Sequence, residues 1–329
     1  MAIAYLGSDG FDNGTLRFVT GDMSGNVALL AVPAPHTGAY SLRLGAHAGT
    51  IRYSVTGTPA NCSVSFWINL STHYDVTAPP VYFYLTTGET IGIIWDFVNH
   101  TYDAYVDDVK VADGTVTVLM NDWFQVQLYA VIDNAGSIQV KIGGQLSIDY
   151  SGDTLPIGAA AQVEYVYFSM VGDAGTYLYL DDIVWGTGGY LGDCRVEWLP
   201  PNADTGVDDW LKSVGGDAYA VVDEIPSNTT DYLYTDTDAQ STELELTDWD
   251  DTDKTPLFVT AWARAYEDAA TAESLKVGVD SGGVDDVTEY IMTDAYQYYD
   301  HFMDENPDGP AAWDNAAIDA LKHRLESVI

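Results

Sequence analysis

Positive charge is scarce in this sequence. Its 329 residues include 12 Lys and Arg against 50 Asp and Glu, which gives a formal net charge of −38. Nucleic acid is therefore excluded as a natural partner, because phosphate binding needs clustered cations and the release of counterions. The same charge would repel an anionic membrane surface. Three interpretations of the acidic surface stay open: a coat that keeps a crowded assembly soluble, a halophilic adaptation to high salt, and Ca²⁺ held by aspartates.

Cysteine and long apolar runs are also scarce. The 2 cysteines, Cys62 and Cys194, are too few for a disulfide framework, so free thiols are favoured over a bridge. No apolar run approaches the ~20 residues of a membrane-spanning helix. The N-terminus has neither the basic region nor the apolar run of a signal peptide. We therefore expect a chain that is made in a cytoplasm and has no membrane partner.

Motifs that carry catalysis or hold cofactors are missing as well. The 6 histidines show no HxH or HExxH spacing, and the sequence has neither a serine nucleophile elbow nor a glycine-rich phosphate loop. Glu243 and Glu245 alternate along one strand-like run, but no third acid follows at the spacing that a sandwich glycosidase needs. The sequence therefore predicts that the chain is not an enzyme.

Short alternating runs dominate what is present. Hydrophobic residues make up 47% and aromatic residues 12% of the chain, which is enough to build real cores. Runs such as 62–70 and 123–129 alternate apolar and polar residues, as strands do when one side faces a core. Residues 137–142 and 145–150 flank Gly143-Gly144, a two-residue hairpin signal. The pattern predicts an all-β chain of the β-sandwich or jelly-roll type.

The chain divides at the stretch from Gly189 to Pro201. Glycines on both sides of Leu191 free the backbone to change direction, and the paired prolines stop the next strand. We therefore predict two β-sandwich (jelly-roll) domains, a first sandwich over residues 1–188 and a smaller jelly-roll-like domain over 189–329.

The C-terminal residues predict a helix. Asp314 is a good N-cap, and an α-helix is expected over 315–328. The apolar residues that recur at helical spacing on one face are Ile318, Leu321, Leu325 and Val328. Packing of this face on its own domain is favoured over packing on a neighbouring subunit.

The order of motifs resembles known families. Gly38 to Leu44, the hairpin at Gly143-Gly144 and the strand from Tyr179 to Ile183 follow the order of laminin-G and concanavalin-A sandwiches. The stretch from Tyr177 to Pro226, with Leu191-Gly192-Asp193 inside it, resembles virion structural proteins of tailed viruses. The resemblance implies a laminin-G/concanavalin-A-like first domain followed by a jelly-roll domain.

The same resemblance implies a function. It points to a structural component on the exterior of a tailed virus particle, as capsid decoration, tower or tail-associated protein, assembled in the host cytoplasm and located in the virion. The implied partners are further copies of the chain, commonly as a trimer, together with major capsid or tail proteins and host surface glycans. The alternative is a secreted or virion carbohydrate-binding or glycan-degrading protein.

Two kinds of site follow as hypotheses. In sandwiches of this family a Ca²⁺ often joins the start of the chain to its last strand, which implies Asp12 and Asp182, with Asp9 and Asp181, as ligands. The alternative is that Asp181 and Asp182 end a strand and face solvent.

Sugar binding would need exposed aromatic rings, although such residues in strands more often belong to a core or an interface. The candidate aromatic contacts are Tyr74, Tyr82, Tyr84, Trp95 and Tyr102 in the first domain, and Tyr298 and Tyr299 in the second.

Overall fold

Two compact units make up the chain, Met1–Glu197 and Trp198–Ile329. The boundary between them along the chain lies after Glu197 rather than after residue 188. Within the stretches that the structure describes, no helix is long and apolar enough to cross a membrane. The computed structural model describes residues 4–9 (backbone only), 27–31, 33–37, 39–45, 49–71, 81–155, 161–170, 176–224, 229–249, 253–268, 273–309 and 311–329.

Fourteen strands lie in the described residues of the first unit. They are β1 (Ala4–Asp9), β2 (Val27–Leu30), β3 (Ser41–Gly45), β4 (Gly49–Ser54), β5 (Asn61–Leu70), β6 (Val81–Leu85), β7 (Thr90–Asp96), β8 (Thr101–Val106), β9 (Val109–Ala112), β10 (Trp123–Val131), β11 (Gly136–Ile142), β12 (Gln145–Gly152), β13 (Val163–Met170) and β14 (Tyr177–Thr187). An eight-stranded sheet has the order β12-β11-β10-β5-β14-β3-β2, with β1 paired to β14. A six-stranded sheet has the order β4-β13-β6-β7-β8-β9.

Alternation along the strands creates the core between these two antiparallel sheets. In β6, Val81, Phe83 and Leu85 are fully buried, whereas the tyrosines between them stay partly exposed. Successive side chains of a strand point to opposite faces of its sheet, so one face is apolar and the other is free for other uses. One continuous cluster of buried apolar side chains joins the two sheets, which makes the first unit a β-sandwich.

The second unit is also built of strands. A five-stranded sheet has the order β15-β18-β23-β20-β21, and two further pairs join β16 to β17 and β19 to β22. The elements are β15 (Pro201–Asp208), β16 (Leu211–Lys212), β17 (Leu233–Tyr234), β18 (Ser241–Leu246), β19 (Val259–Ala265), β20 (Ser274–Ser281), β21 (Val284–Ile291), β22 (Gln297–Met303), α1 (Asn315–Asp319) and β23 (Lys322–Val328). The prediction of an all-β sandwich chain is confirmed.

The predicted helix over 315–328 is wrong for most of its length. Asp314 does cap a helix, since its Oδ1 accepts the Ala317 backbone N–H at 2.8 Å, but α1 ends at Asp319. Lys322–Val328 then forms β23 between β18 and β20. Leu321 and Leu325 are buried, as expected, but in two different apolar clusters. Their spacing of four residues fits one face of a helix and one face of a strand equally well, and pairing with two neighbouring strands decides the outcome.

Candidate functional site

Tyrosines line the outer face of the six-stranded sheet. Tyr82 and Tyr84 point away from the core on β6, and Tyr165 and Tyr167 do so on β13. In the register of the two strands, Tyr82 lies opposite Tyr167 and Tyr84 lies opposite Tyr165. The first pair of rings is stacked, with centroids 4.6 Å apart and an interplanar angle of 24°, and the centroids of the second pair are 6.2 Å apart. With Tyr105 of β8, these four tyrosines form what we call the tyrosine face.

The pairing register continues the tyrosine face across the whole sheet. Directly opposed residues on all six strands form a first row, which consists of Arg52, Tyr167, Tyr82, Gly92, Tyr105 and Lys110. Beside it runs a second row of Ser54, Tyr165, Tyr84 and Thr90. Strands lie about 4.8 Å apart, so the first row is about 24 Å long. Neither row contains an acid, although 50 of the 329 residues are acidic.

Gly92 lies at the middle of the first row, where strand β7 approaches strand β6 closely. A Cβ atom placed on Gly92 would lie 2.5 Å from the Cβ of Tyr82 and 2.6 Å from the backbone oxygen of Val81. No side chain fits at such distances, so the position requires glycine. Gly92 is buried and lies between Tyr82 and Tyr105 in the first row.

The Tyr82 hydroxyl of this surface is neutral. Burial, and then the neighbouring Tyr167, raise the pKa of Tyr82 above its ordinary value. At neutral pH the Tyr82 hydroxyl is therefore protonated and can both donate and accept a hydrogen bond. The guanidinium carbon of Arg52 lies 4.3 Å from the centroid of the Tyr165 ring, a cation–π contact. The tyrosine face thus combines ring surfaces, neutral hydroxyl groups and positive charge at its rim.

Two predicted contact residues of the first domain lie on the wrong side of the same sheet. Trp95 of β7 and Tyr102 of β8 are 1% and 0% exposed, with ring centroids 5.2 Å apart inside the core. They present no surface to a ligand, which corrects their assignment as glycan contacts. Tyr82 and Tyr84 do lie on the outer face, and Tyr74 falls outside the described residues.

The aromatic pair of the second unit is split between two faces of β22. Tyr299 is 5% exposed and belongs to a buried apolar cluster, so it is not a contact residue. Tyr298 points to the other face, where its ring centroid lies 5.5 Å from that of Trp262. Its role as a contact stays a prediction.

The two acids predicted as Ca²⁺ ligands on β14 are fully buried, which excludes the alternative that they face solvent. Asp182 lies in a bulge of β14 with a φ of 48°. Its carboxylate oxygens lie 2.8 Å from the His36 Nδ1, 2.9 Å from the Thr37 Oγ1 and 2.8 Å from the Val196 backbone nitrogen. Asp181 accepts the backbone N–H groups of His36, Thr37 and Asp182 at 2.9, 3.2 and 3.0 Å.

A Ca²⁺ ion at this position is not supported by these contacts alone. Every carboxylate oxygen of Asp181 and Asp182 already has a hydrogen-bonding partner, whereas Ca²⁺ takes six to eight oxygen ligands. The backbone of Asp9 pairs with Ile183, but its side chain and all of Asp12 lie outside what the structure describes. The calcium site stays a prediction that depends on those two residues.

A cluster of acids in the second unit escaped the sequence analysis. Carboxylate oxygens of Glu243, Asp280 and Asp285, from three strands, lie within 4.8 Å of one another. Cations already occupy the space between them: Arg324 pairs with Glu243 and, at 3.2 Å, with Asp285, and the Lys322 Nζ is 3.7 Å from Asp280. The cluster is therefore an ion-pair network. Both cations belong to β23, which pairs with the strands of Glu243 and Asp280. The sequence analysis missed the network because it predicted a helix over these residues.

Comparisons with known proteins return only distant structural similarity. No protein-family model and no curated protein matches the chain. Three of the similar solved structures are the cellulose induced protein Cip1 (18% identity, 58% of this chain, 99% of that chain, TM-score 0.41), an endo-β-1,4-glucuronan lyase from the fungus Trichoderma reesei (14%, 56%, 96%, 0.39), and a conserved carbohydrate esterase from the Shiga toxin-encoding bacteriophage phi24B (13%, 57%, 100%, 0.42).

These findings correct one prediction and leave others open. The prediction that the chain is not an enzyme is contradicted, since the similar structures include carbohydrate lyases and an esterase. The absence of known motifs from the sequence was therefore too weak a ground for that exclusion. The virion role, the trimer, the capsid or tail partners and the virion location stay predictions. At such low identity, what the chain shares with these proteins is the β-sandwich fold.

Proposed function

We propose that the tyrosine face binds an oligosaccharide. The observation that carries the proposal is the pair of cross-strand tyrosine couples, Tyr82 with Tyr167 and Tyr84 with Tyr165, whose rings stay partly exposed on one sheet face. The C–H faces of sugar rings pack on aromatic rings, while tyrosine hydroxyl groups exchange hydrogen bonds with sugar hydroxyl groups. A face that offers both side by side fits a ligand that is apolar on its flat sides and polar at its edges.

Simple packing explains the tyrosine face less well. A sheet face that serves only solubility is usually covered with charged side chains, and this chain has 50 acids available for that purpose. Clusters of partly exposed rings instead mark places where a protein contacts something else. Of the functions that the sequence left open, carbohydrate binding therefore has the stronger structural support, and it is compatible with a location on a virus particle or elsewhere.

Binding should be measured on the full chain with a glycan array, followed by titration calorimetry of any oligosaccharide that is retained. The variant Tyr82→Ala combined with Tyr167→Ala removes the stacked pair, and we expect affinity to fall at least about tenfold, because an aromatic stack contributes on the order of 1 kcal/mol per ring beyond its area. Melting curves should show that the variant remains folded.

A matched control is available on the other sheet. Tyr177→Ala combined with Tyr179→Ala removes two tyrosines of β14 whose ring centroids are 6.3 Å apart. This control should keep full affinity. An array on which nothing is retained, or equal losses in the two double variants, would show that the tyrosine face is not the binding site.

A further inference from the structure

The first row of the tyrosine face has two aromatic contact points. One is the stacked couple of Tyr82 and Tyr167, whose ring centroids lie 4.6 Å apart. The other is Tyr105 on β8, which is partly exposed. Gly92 of β7 is paired with Tyr82 on one side and with Tyr105 on the other, so the two tyrosines share one face of the sheet. Gly92 itself contributes no side chain between them.

Strand pairing sets the distance between these contact points. Strands β6 and β8 are the two neighbours of β7, so Tyr82 and Tyr105 are two strand spacings apart, or about 10 Å. A sugar unit in an extended chain is about as long as one strand spacing of about 4.8 Å. Two rings at this separation therefore match the first and third sugars of a chain that lies across the strands. A disaccharide is too short to reach both.

A chain that runs along the strands is the alternative. Tyr84 and Tyr165 lie two residues further along β6 and β13, so such a chain would contact both tyrosine couples and would not reach Tyr105. Strand β6 has only five residues, about 17 Å, and it ends at Leu85, one residue beyond Tyr84. The first row, by contrast, extends over six strands, about 24 Å. The longer direction therefore favours a ligand across the strands.

Resting on the proposed function, we infer that the ligand is an extended β-1,4-linked polysaccharide bound across the strands, and that Tyr105 selects for its chain length. In such a chain each sugar is turned by about half a turn from its neighbour, so the first and third sugars present the same side to the sheet. An α-1,4-linked chain coils and leads its third sugar away from a straight row. A second contact on the same chain forms at a high effective concentration, so it raises the affinity of long chains alone.

The test is titration calorimetry of the full chain with oligomers of increasing length, from the disaccharide upwards. The probes are β-1,4-linked glucose, β-1,4-linked mannose and α-1,4-linked glucose. We expect at least one β-1,4 series to gain about fivefold in affinity once the oligomer exceeds two sugars, since one further aromatic contact contributes about 1 kcal/mol. The α-1,4 series should show no such gain. Tyr105→Ala should abolish the gain and leave the disaccharide affinity unchanged, whereas Tyr105→Phe, which retains the ring, should keep the gain.

Tyr84→Ala is the matched control. Tyr84 is a partly exposed tyrosine of the same face, but it lies in the second row, off the line from Tyr82 to Tyr105. Its variant should change the affinity for every length by the same factor and keep the gain with length. Melting curves should show that the variants at both positions remain folded.

Three outcomes overturn the inference and leave the proposed function standing. They are affinities that do not depend on length, an α-1,4 series that gains as much as the β-1,4 series, and a gain that Tyr84→Ala abolishes while Tyr105→Ala keeps it, which would place the ligand along the strands. Failure of both β-1,4 series to bind overturns the inference too. A glycan array on which nothing is retained overturns the proposed function with it.

Discussion

The outer faces of the two sheets in the first unit differ in how far their side chains are covered. On the eight-stranded sheet the chain covers its own surface: the Gln125 Nε2 donates to the backbone oxygen of Gly192 at 3.0 Å, and the Ser63 hydroxyl donates to that of Gly189. His36 stacks on Trp67 with ring centroids 3.5 Å apart and is held by Asp182. On the six-stranded sheet the outward positions carry the partly exposed rings of the tyrosine face.

The difference indicates that one face contributes to stability and the other to binding. Polar groups that are buried under the chain's own segments are costly to leave unpaired, so changes there should act on stability. Rings that stay partly exposed contribute little to folding by comparison, so changes there should act on binding. Four measurements test this assignment of stability to one face and binding to the other.

The largest effect is expected from Asp182→Ala. The substitution leaves the His36 ring, the Thr37 hydroxyl and the Val196 backbone N–H without their common acceptor in a fully buried position. Loss of a buried charged partner costs about 3–5 kcal/mol of the free energy of unfolding. Urea denaturation should show this as a lower midpoint. Asp113→Ala, at an exposed position, is the control, and a similar loss in both variants would remove the contrast.

The stability of the chain should depend on pH through a histidine of the second unit, His323. Burial lowers the pKa of His323 to about 4, so the unfolded chain binds a proton at this histidine more readily than the folded chain. The stabilisation from neutral His323 is full above about pH 6.5 and is lost as the pH falls towards 4, by about 3 kcal/mol in all.

Denaturation midpoints should therefore fall between pH 6.5 and about 4.5, and His323→Leu should flatten this slope. A slope that His323→Leu leaves unchanged would assign the pH dependence to other groups. Below this range the carboxyl of Glu326 contributes too, since its hydrogen bond from Lys276 lowers its pKa. Comparisons between the two faces of the first unit are best made above pH 6.5.

Gly92→Ala should affect both stability and binding. The added methyl group would meet the Cβ of Tyr82 and the backbone oxygen of Val81 at 2.5 and 2.6 Å, so strand β7 or the Tyr82 ring must shift. Overpacking of this kind costs about 1–3 kcal/mol. We expect a lower urea midpoint together with weaker oligosaccharide binding. Gly215→Ala, where nothing lies within 4 Å of the added carbon, should change neither, and an unchanged Gly92→Ala variant would contradict the close approach.

Part of this fold can be predicted from the sequence. The hairpin across Gly143-Gly144 and the strand from 62 to 70 were predicted nearly to the residue, because alternation and turn chemistry are local signals. The strand β23 was missed because its apolar spacing fits a helix equally well. Only pairing with β18 and β20, which are distant in sequence, separates the two.

The tyrosine face was only half predicted. Tyr82 and Tyr84 were candidates, but strict alternation from Val163 would turn Tyr165 towards the core. A bulge between Val163 and Tyr165 shifts the register, so that Tyr165 and Tyr167 both face outward. The row that links Arg52 to Lys110 depends on the pairing of six strands, which no local pattern specifies. Trp95 and Tyr102 were misplaced because aromatic residues occur on both faces of this sheet, as the buried Tyr102 and the partly exposed Tyr105 of β8 show.

The smallest effect on stability, and the sharpest test of the contrast, is expected from Tyr82→Phe. The variant keeps the ring stack with Tyr167 and removes a hydroxyl group at the outer face together with its hydrogen bond to Tyr167. The free energy of unfolding should change by no more than about 0.5 kcal/mol. Oligosaccharide affinity should fall by about two- to tenfold, because a single neutral hydrogen bond contributes about 0.5–1.5 kcal/mol. Tyr179→Phe, on the other sheet, should alter neither quantity. If Tyr82→Phe instead lowered stability and left binding intact, the hydroxyl would serve the fold, and the tyrosine face would resemble the covered face after all.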